Sequence, residues 1–285
     1  MRVRGLRVTV VGACLRDGRG GSPTAVLEET GLGDDQRRSV PGLVGASHAV
    51  FVSAPGGGPV SLRFFTSEGE LPACGHGTVA ALAYLAARAG RKRYRTALHA
   101  SGRVFEGWAA WNGSEVDAAF VTGAVDLREP VGREYEDVFA ALGVSGRTPA
   151  GGAVVASVGR ARLLVPLTSR AAVAALAPDA GALRAACDRL GLLGCYVHSL
   201  PDPAGRLAAR MFAPSIGVPE DVANANSTAC LAAHLAGQGA ARIAVDMGDS
   251  LGSPATITAA ARPGAAGPLV RLGGAAKVMR VVRLP

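Results

Sequence analysis

Two short runs of small and polar residues could do chemistry. One is Cys74-Gly75-His76-Gly77-Thr78, the other Asn224-Ala225-Asn226-Ser227-Thr228. Each leads into an almost wholly apolar stretch with helical spacing, residues 78–88 and 228–236. A helix that is apolar all round is a buried one. Its start presents unpaired N–H groups and the positive end of the helix dipole. Such a start can hold a carboxylate or stabilise a developing anion. Small residues let a ligand approach that backbone closely. Ordinary capping by Thr78, Asn226 and Ser227 would explain either run alone. Recurrence at equivalent positions points to binding instead. The chain has three asparagines, and two of them, Asn224 and Asn226, stand in the second run. Their amides could both donate to and accept from a ligand.

The surrounding elements must position these runs. Strand-like segments at 6–11, 24–27, 49–52 and 60–65 precede the first helix. A strand at 162–165, helices at 169–176 and 180–190 and a strand at 208–212 precede the second. Strands at 255–260, 269–272 and 278–284 close the chain. The second half repeats the first. Phe65-Thr66-Ser67 leads to the Cys74 run and Phe212-Ala213-Pro214 to the Asn224 run, so that Thr78 matches Thr228, Leu85 matches Leu235 and Ala86 matches Ala236. This duplication predicts an α+β protein of two pseudo-symmetric domains, each a barrel-like sheet around a central helix. The N-terminal domain is expected over 1–124, closed by a strand at 275–285, and the C-terminal domain over 125–274.

Composition excludes several classes. With 285 residues, 49% hydrophobic and 18% charged, a soluble globular protein is expected. No window approaches the roughly 20 uncharged apolar residues of a membrane span, and the charged start lacks a signal-peptide core. A cytoplasmic location with no membrane partner is the expectation. The net charge of +8 comes almost wholly from arginine, since lysine occurs only at 92 and 277. Without a recognisable binding module, that charge predicts no nucleic-acid partner. The five cysteines, Cys14, Cys74, Cys187, Cys195 and Cys230, are dispersed and form no CxxC pair. Neither a disulfide framework nor a metal site is expected. Cys187, Cys195 and Cys230 read as small buried residues.

Several segments resemble the motifs of PhzF-like proteins. Glu70-Leu71-Pro72-Ala73-Cys74-Gly75-His76-Gly77-Thr78 is similar to that family's "ELPFCGHAT". Arg210-Met211-Phe212-Ala213-Pro214, followed by Gly217-Val218-Pro219-Glu220-Asp221, resembles "RxFxP…GVxED". Gly21-Ser22-Pro23-Thr24-Ala25-Val26 resembles "GNPxAV", and Val270-Arg271-Leu272-Gly273-Gly274-Ala275-Ala276 resembles the closing "VxGGxA". The matches run in family order along nearly the whole chain.

The resemblance implies a diaminopimelate-epimerase-like fold with a site between two domains. It also implies cofactor-independent proton shifting, a small substrate bearing a carboxylate, and a homodimer. Two-base relatives carry a cysteine at each helix start. Here Cys74 matches the first and Asn224 replaces the second, which disfavours two-thiol racemisation. The phenazine enzyme's proton-carrying glutamate lies in a segment like "LSESTF", matched here by Ala46-Ser47-His48-Ala49-Val50-Phe51. His48 therefore stands at the proton carrier's position, and an imidazole can accept and return a proton near neutrality. The family's "EDxATGSA" has become Glu220 to Ser227, retaining Asp221.

The expected catalytic set is thus His48, Asp221, His76 and Cys74. Substrate contacts are expected from Gly75, Gly77, Thr78, Asn224, Ala225, Asn226 and Ser227. Glu70, Glu220, His99, His198 and His234 read as structural. The leading function is an isomerase that shifts a proton and a double bond in a small unsaturated amino or imino acid, with alkylproline-type precursors as one substrate class. A racemase using Cys74, a C–C hydrolase and a non-catalytic binding protein are the alternatives.

Overall fold

The computed structural model describes residues 5–54, 58–130, 135–144, 152–240 and 242–284. The charged start at residues 1–4 lies outside them. Two units are present, one of residues 1–122, 253–256 and 271–285, the other of residues 123–252 and 257–270.

The first unit is built from β1 (Arg7–Leu15), β2 (Ser22–Glu28), α1 (Asp34–Leu43), β3 (His48–Ser53), β4 (Val60–Phe65), β5 (Glu70–Leu71), α2 (Gly75–Ala89), β6 (Arg93–Ala100), β7 (Arg103–Asn112) and β8 (Glu115–Ala124). The C-terminal strand, Leu269–Arg283, completes it. β1 pairs antiparallel with β2, β2 parallel with β3, β3 antiparallel with β4 and β4 parallel with β6. Antiparallel pairs β6–β7 and β7–β8 follow, and the C-terminal strand joins β8 to β1. The ring of pairings is closed, which removes the sheet edges.

Helix α2 runs inside this ring, packing on β1, β2, β3, β4, β6 and β7. Its residues from Gly75 to Ala83 are all buried, as the absence of a polar face requires. Two glycines permit the close fit. A Cβ on Gly107 would fall 2.8 Å from Leu82 and Leu98 side-chain carbons. One on Gly77 would lie 3.0 Å from Val50 of β3 and 3.1 Å from Phe64 of β4.

The second unit contains β9 (Asp126–Arg128), α3 (Glu136–Leu142), β10 (Val154–Ser157), β11 (Ala161–Leu167), α4 (Arg170–Ala174), α5 (Ala180–Arg189), β12 (Cys195–Ser199), β13 (Arg206–Ala213), β14 (Val218–Asp221), α6 (Ala225–Ala236), β15 (Arg242–Met247) and β16 (Ala255–Arg262). Its pairings repeat those of the first: β11 parallel with β12, β12 antiparallel with β13, β13 antiparallel with β14 and parallel with β15. The short strand β14 leads into α6 as β5 leads into α2. The expected duplication is therefore present strand by strand.

Both central helices begin one turn earlier than expected. Thr78 donates its N–H and its hydroxyl to the Cys74 carbonyl, at 2.9 and 2.8 Å. Thr228 does the same to Asn224, at 3.1 and 3.0 Å. These doubled bonds close a helical turn over residues whose own propensity is poor, glycines above all. The cap positions fall on Cys74 and Asn224 rather than on Thr78, Asn226 and Ser227.

Helix α1 and the short strands β5 and β14 were not expected. Helix α1 buries Arg37, Val40 and Pro41. The Arg37 guanidinium lies 5.0 Å from the ring centre of Phe51 and 5.7 Å from that of Phe65, and pairs with Glu29. A buried face built on arginine and proline carries little apolar periodicity.

Candidate active site

Three of the four expected catalytic residues come together in the first unit. His48 opens β3, opposite Thr24 of β2. Cys74 is the residue before α2, and His76 lies in the helix's first turn. The His48 and His76 rings meet edge to face, with centroids 4.3 Å apart and planes at 84°. Cys74 Sγ is 3.5 Å from His76 Nε2. All three side chains are buried. Ser47 Oγ holds His48 Nδ1 at 2.8 Å, and such a bond sets the tautomer of the ring. One nitrogen or sulfur atom from each residue lies within 4.8 Å of the other two.

The start of α2 has no side-chain cap, because the Cys74 thiol accepts no hydrogen bond from a backbone N–H of the helix. Gly75, His76 and Gly77 thus carry the leading N–H groups, where the dipole's positive end is strongest. Gly77 has a packing role too, since a Cβ there would sit 2.9 Å from Cys74 Sγ. Thr78 spends its hydroxyl on Cys74.

The second unit organises its helix start differently. Asn224 Oδ1 accepts from the Ser227 N–H at 2.9 Å, a side-chain cap that α2 lacks. Asn224 Nδ2 donates to Asp221 Oδ2 at 2.9 Å, and the Ala223 N–H reaches Asp221 Oδ1 at 3.3 Å. Asp221 is buried and held at the end of β14 by this network. Ala225 is buried in the first turn, and Asn226 next to it is half-buried.

Sequence reasoning missed Arg162. Along β11, Leu163 and Val165 face the outer core with α3 and α5. Alternation turns Arg162 to the opposite side, where its Nη1 donates to Ser227 Oγ at 3.3 Å and its Nη2 to the Arg160 carbonyl at 2.6 Å. The side chain is 2% exposed, and its Nε has no hydrogen-bond partner. Among the described residues no carboxylate lies within ion-pair distance of it. A buried guanidinium without a counter-charge costs several kcal/mol. Its Nη1 reaches the first turn of α6 through Ser227. Strand periodicity around 162 was the available signal.

The acids expected to be structural are so engaged. Glu220 forms a bidentate pair with Arg210 at 2.7 and 2.8 Å. Glu70 does the same with Arg63 at 2.6 and 2.8 Å.

Comparison with known proteins decides the family. The family model "Phenazine biosynthesis-like protein", PhzC-PhzF, matches residues 16–281. The chain is a member of the PhzC-PhzF family. An "uncharacterized isomerase" of Deinococcus radiodurans is 30% identical, over 92% of this chain and 89% of that one. A Pseudomonas chlororaphis protein named trans-2,3-dihydro-3-hydroxyanthranilate isomerase is 30% identical over 85% of each. The class of activity follows from the family: this PhzC-PhzF protein is an isomerase. A PhzF-family structure from Bacillus anthracis superposes with a TM-score of 0.84 at 16% identity, covering 98% of this chain and 99% of that one. A probable proline racemase from Agrobacterium radiobacter gives 0.65 at 9% identity, covering 98% and 93%. These structures share the fold. Among the described residues no helix is long and apolar enough to cross a membrane.

Proposed function

We propose that this isomerase moves a proton, and with it a double bond, in a small unsaturated amino or imino acid during natural-product biosynthesis. The carrying observation is the buried contact of His48 with His76 beside the uncapped start of α2. In the tautomer where Nδ1–H donates to Ser47, the other nitrogen of His48 is a base. It takes a proton from one carbon of the substrate. The electron pair moves into the conjugated system, and the same nitrogen returns the proton at a distant carbon. The N–H groups at the start of α2 stabilise the intermediate charge, and His76 orients the reacting groups.

The start of α6 supplies the remaining recognition in this reading. Asp221 and Asn226 fix the polar groups of the substrate, while Arg162 strengthens the pull of that helix start on a carboxylate. Relatives named for dihydro-hydroxyanthranilate support an amino acid with ring unsaturation as the substrate class. Replacement of the family's glutamate by His48, and the Asn224-Ala225-Asn226 sequence, favour a different member of that class, with alkylproline-type precursors fitting. A second reading, racemisation through Cys74, is favoured by the Cys74–His76 contact. The proposal includes a homodimer; Val278, Met279 and Val281 of the C-terminal strand are exposed. It also includes a reducing cytoplasm, which suits five buried cysteines.

The test is deuterium incorporation from D₂O, read by mass spectrometry, over a panel of cyclic and acyclic unsaturated amino acids. Label gained with wild type and lost in His48→Ala supports the proposal. Label lost in Cys74→Ser but kept in His48→Ala would replace it with the racemase reading. Ligand-induced thermal shifts with no label for any compound would indicate a binding protein.

A further inference from the structure

We propose that His48, Cys74 and His76 form a site for a borderline-soft divalent cation of the Zn²⁺ type, and that its occupancy switches the isomerase off. The regulatory half rests on the proton-transfer reading above; the binding half does not.

The donor set selects the ion. Two imidazoles and a thiol, with no carboxylate among the three, suit Zn²⁺ and Co²⁺ and do not suit Mg²⁺ or Ca²⁺. The geometry is close to what such an ion needs. With metal–sulfur near 2.3 Å and metal–nitrogen near 2.0–2.1 Å, the S···N edge of a tetrahedron is about 3.5 Å. Cys74 Sγ and His76 Nε2 already stand 3.5 Å apart. The third donor, on His48, lies within 4.8 Å of both. A side-chain rotation moving it by up to about 1.5 Å would bring it to the roughly 3.3–3.5 Å edge of the same tetrahedron.

The surroundings are those of a built site. All three residues are at most 5% exposed, in a low-dielectric setting that strengthens ligand bonds. Cys74 and His76 sit two residues apart at the start of a helix packed inside a closed sheet, and His48 is on the adjoining strand β3. The Ser47 hydroxyl on His48 Nδ1 is the outer-shell hydrogen bond that metal-binding histidines characteristically make. Three protein ligands leave a fourth position for water or a substrate oxygen.

The consequence for turnover is direct. Binding uses the His48 lone pair that would accept the substrate's proton, and it displaces the thiol proton of Cys74 to solvent. In a metal-loaded molecule the His48 nitrogen is therefore no longer available to take the substrate's proton.

The experiment has two arms on the full chain. In the first, protein freed of metal with a chelator is titrated with Co²⁺ and followed by absorption. One equivalent should give a thiolate-to-cobalt band in the near ultraviolet and intense tetrahedral bands in the visible. Cys74→Ser should lose the first, His48→Gln should weaken binding at least 100-fold, and Ser47→Ala should weaken it about 10–100-fold. Circular dichroism of each variant checks its folding. Absence of a one-equivalent spectrum in wild type, or a spectrum unchanged in folded Cys74→Ser, overturns the site. In the second arm, Zn²⁺ should lower the deuterium-exchange rate at least 100-fold, with recovery on adding chelator. Exchange that persists or rises with one equivalent bound overturns the regulatory half. Cobalt binding in a protein that exchanges with no substrate would instead overturn the proton-transfer reading and leave the metal site standing.

Discussion

His48 and His76 meet edge to face with ring centres 4.3 Å apart, although 28 positions and two strands, β4 and β5, separate them. One ring lies on the strand that borders α2 and the other in the helix's first turn, so the pair exists only because α2 lies inside the sheet. If His48 is the proton carrier, His48→Ala should lower deuterium exchange about 10²–10⁴-fold, the usual worth of a positioned acid–base group. His48→Glu, which restores the carboxylate of the family motif, should recover part of that loss. Failure of His48→Glu to exceed His48→Ala, with both folded, would argue that residue 48 moves no proton.

Asn224 holds α6 through the Ser227 N–H, whereas Cys74 makes no such bond to α2. Asn224→Ala should therefore cost about 0.5–2 kcal/mol. It should also release Asp221, whose Oδ2 loses the Asn224 amide. Cys74→Ala removes no cap. Urea denaturation of the two variants gives the comparison, and equal stabilities would contradict the difference between the two helix starts.

Gly77 combines packing and site geometry, since a Cβ there would press on Cys74 Sγ, Val50 and Phe64 together. Overpacking of this kind costs about 1–3 kcal/mol. Gly77→Ala should be destabilised by that amount and should show changed reactivity of Cys74 toward a thiol reagent.

Arg162 should act on binding. A charge-assisted hydrogen bond or its equivalent potential is worth about 1.5–3 kcal/mol, or roughly 10–100-fold in affinity. Arg162→Met should raise KM by that factor for a carboxylate substrate while kcat changes little. Replacing a buried charge by an apolar side chain of similar length need not destabilise the fold. A normal KM in a folded variant would confine Arg162 to a structural role.

Much of this arrangement was legible in the sequence, and what was not has identifiable causes. The repeat of Thr78 at Thr228 could be read because both threonines perform the same double bond to the cap carbonyl, which constrains residue type and spacing. His48 was placed by resemblance alone. No local spacing connects a histidine opening β3 to one in α2. Arg162 went unnoticed because a charged residue in a strand reads as solvent-facing, and only the face occupied by α6 makes it buried. Helix α1 escaped for the converse reason: its buried side is led by Arg37, whose aliphatic stem and planar head pack on Phe51 and Phe65 as an apolar residue would.

His198 offers a test of the fold independent of the reaction. It is buried on β12, and loss of water around the ring pushes its pKa down to about 4. The Ser199 carbonyl, accepting from Nδ1 at 3.0 Å, opposes that fall, and nearby His234 adds to it. The folded protein thus keeps this ring neutral over a range where the unfolded chain, with an ordinary histidine pKa near 6.5, takes up a proton. The unfolded state binds more protons there, so stability rises with pH across the window from about 4 to 6.5. Acidification from neutrality to pH 4 should remove about 3 kcal/mol through this one group. His198→Leu should flatten the pH dependence of the urea midpoint over that interval, whatever its effect on stability at pH 7. An unchanged slope would mean that the ring is already protonated or solvated in the folded protein.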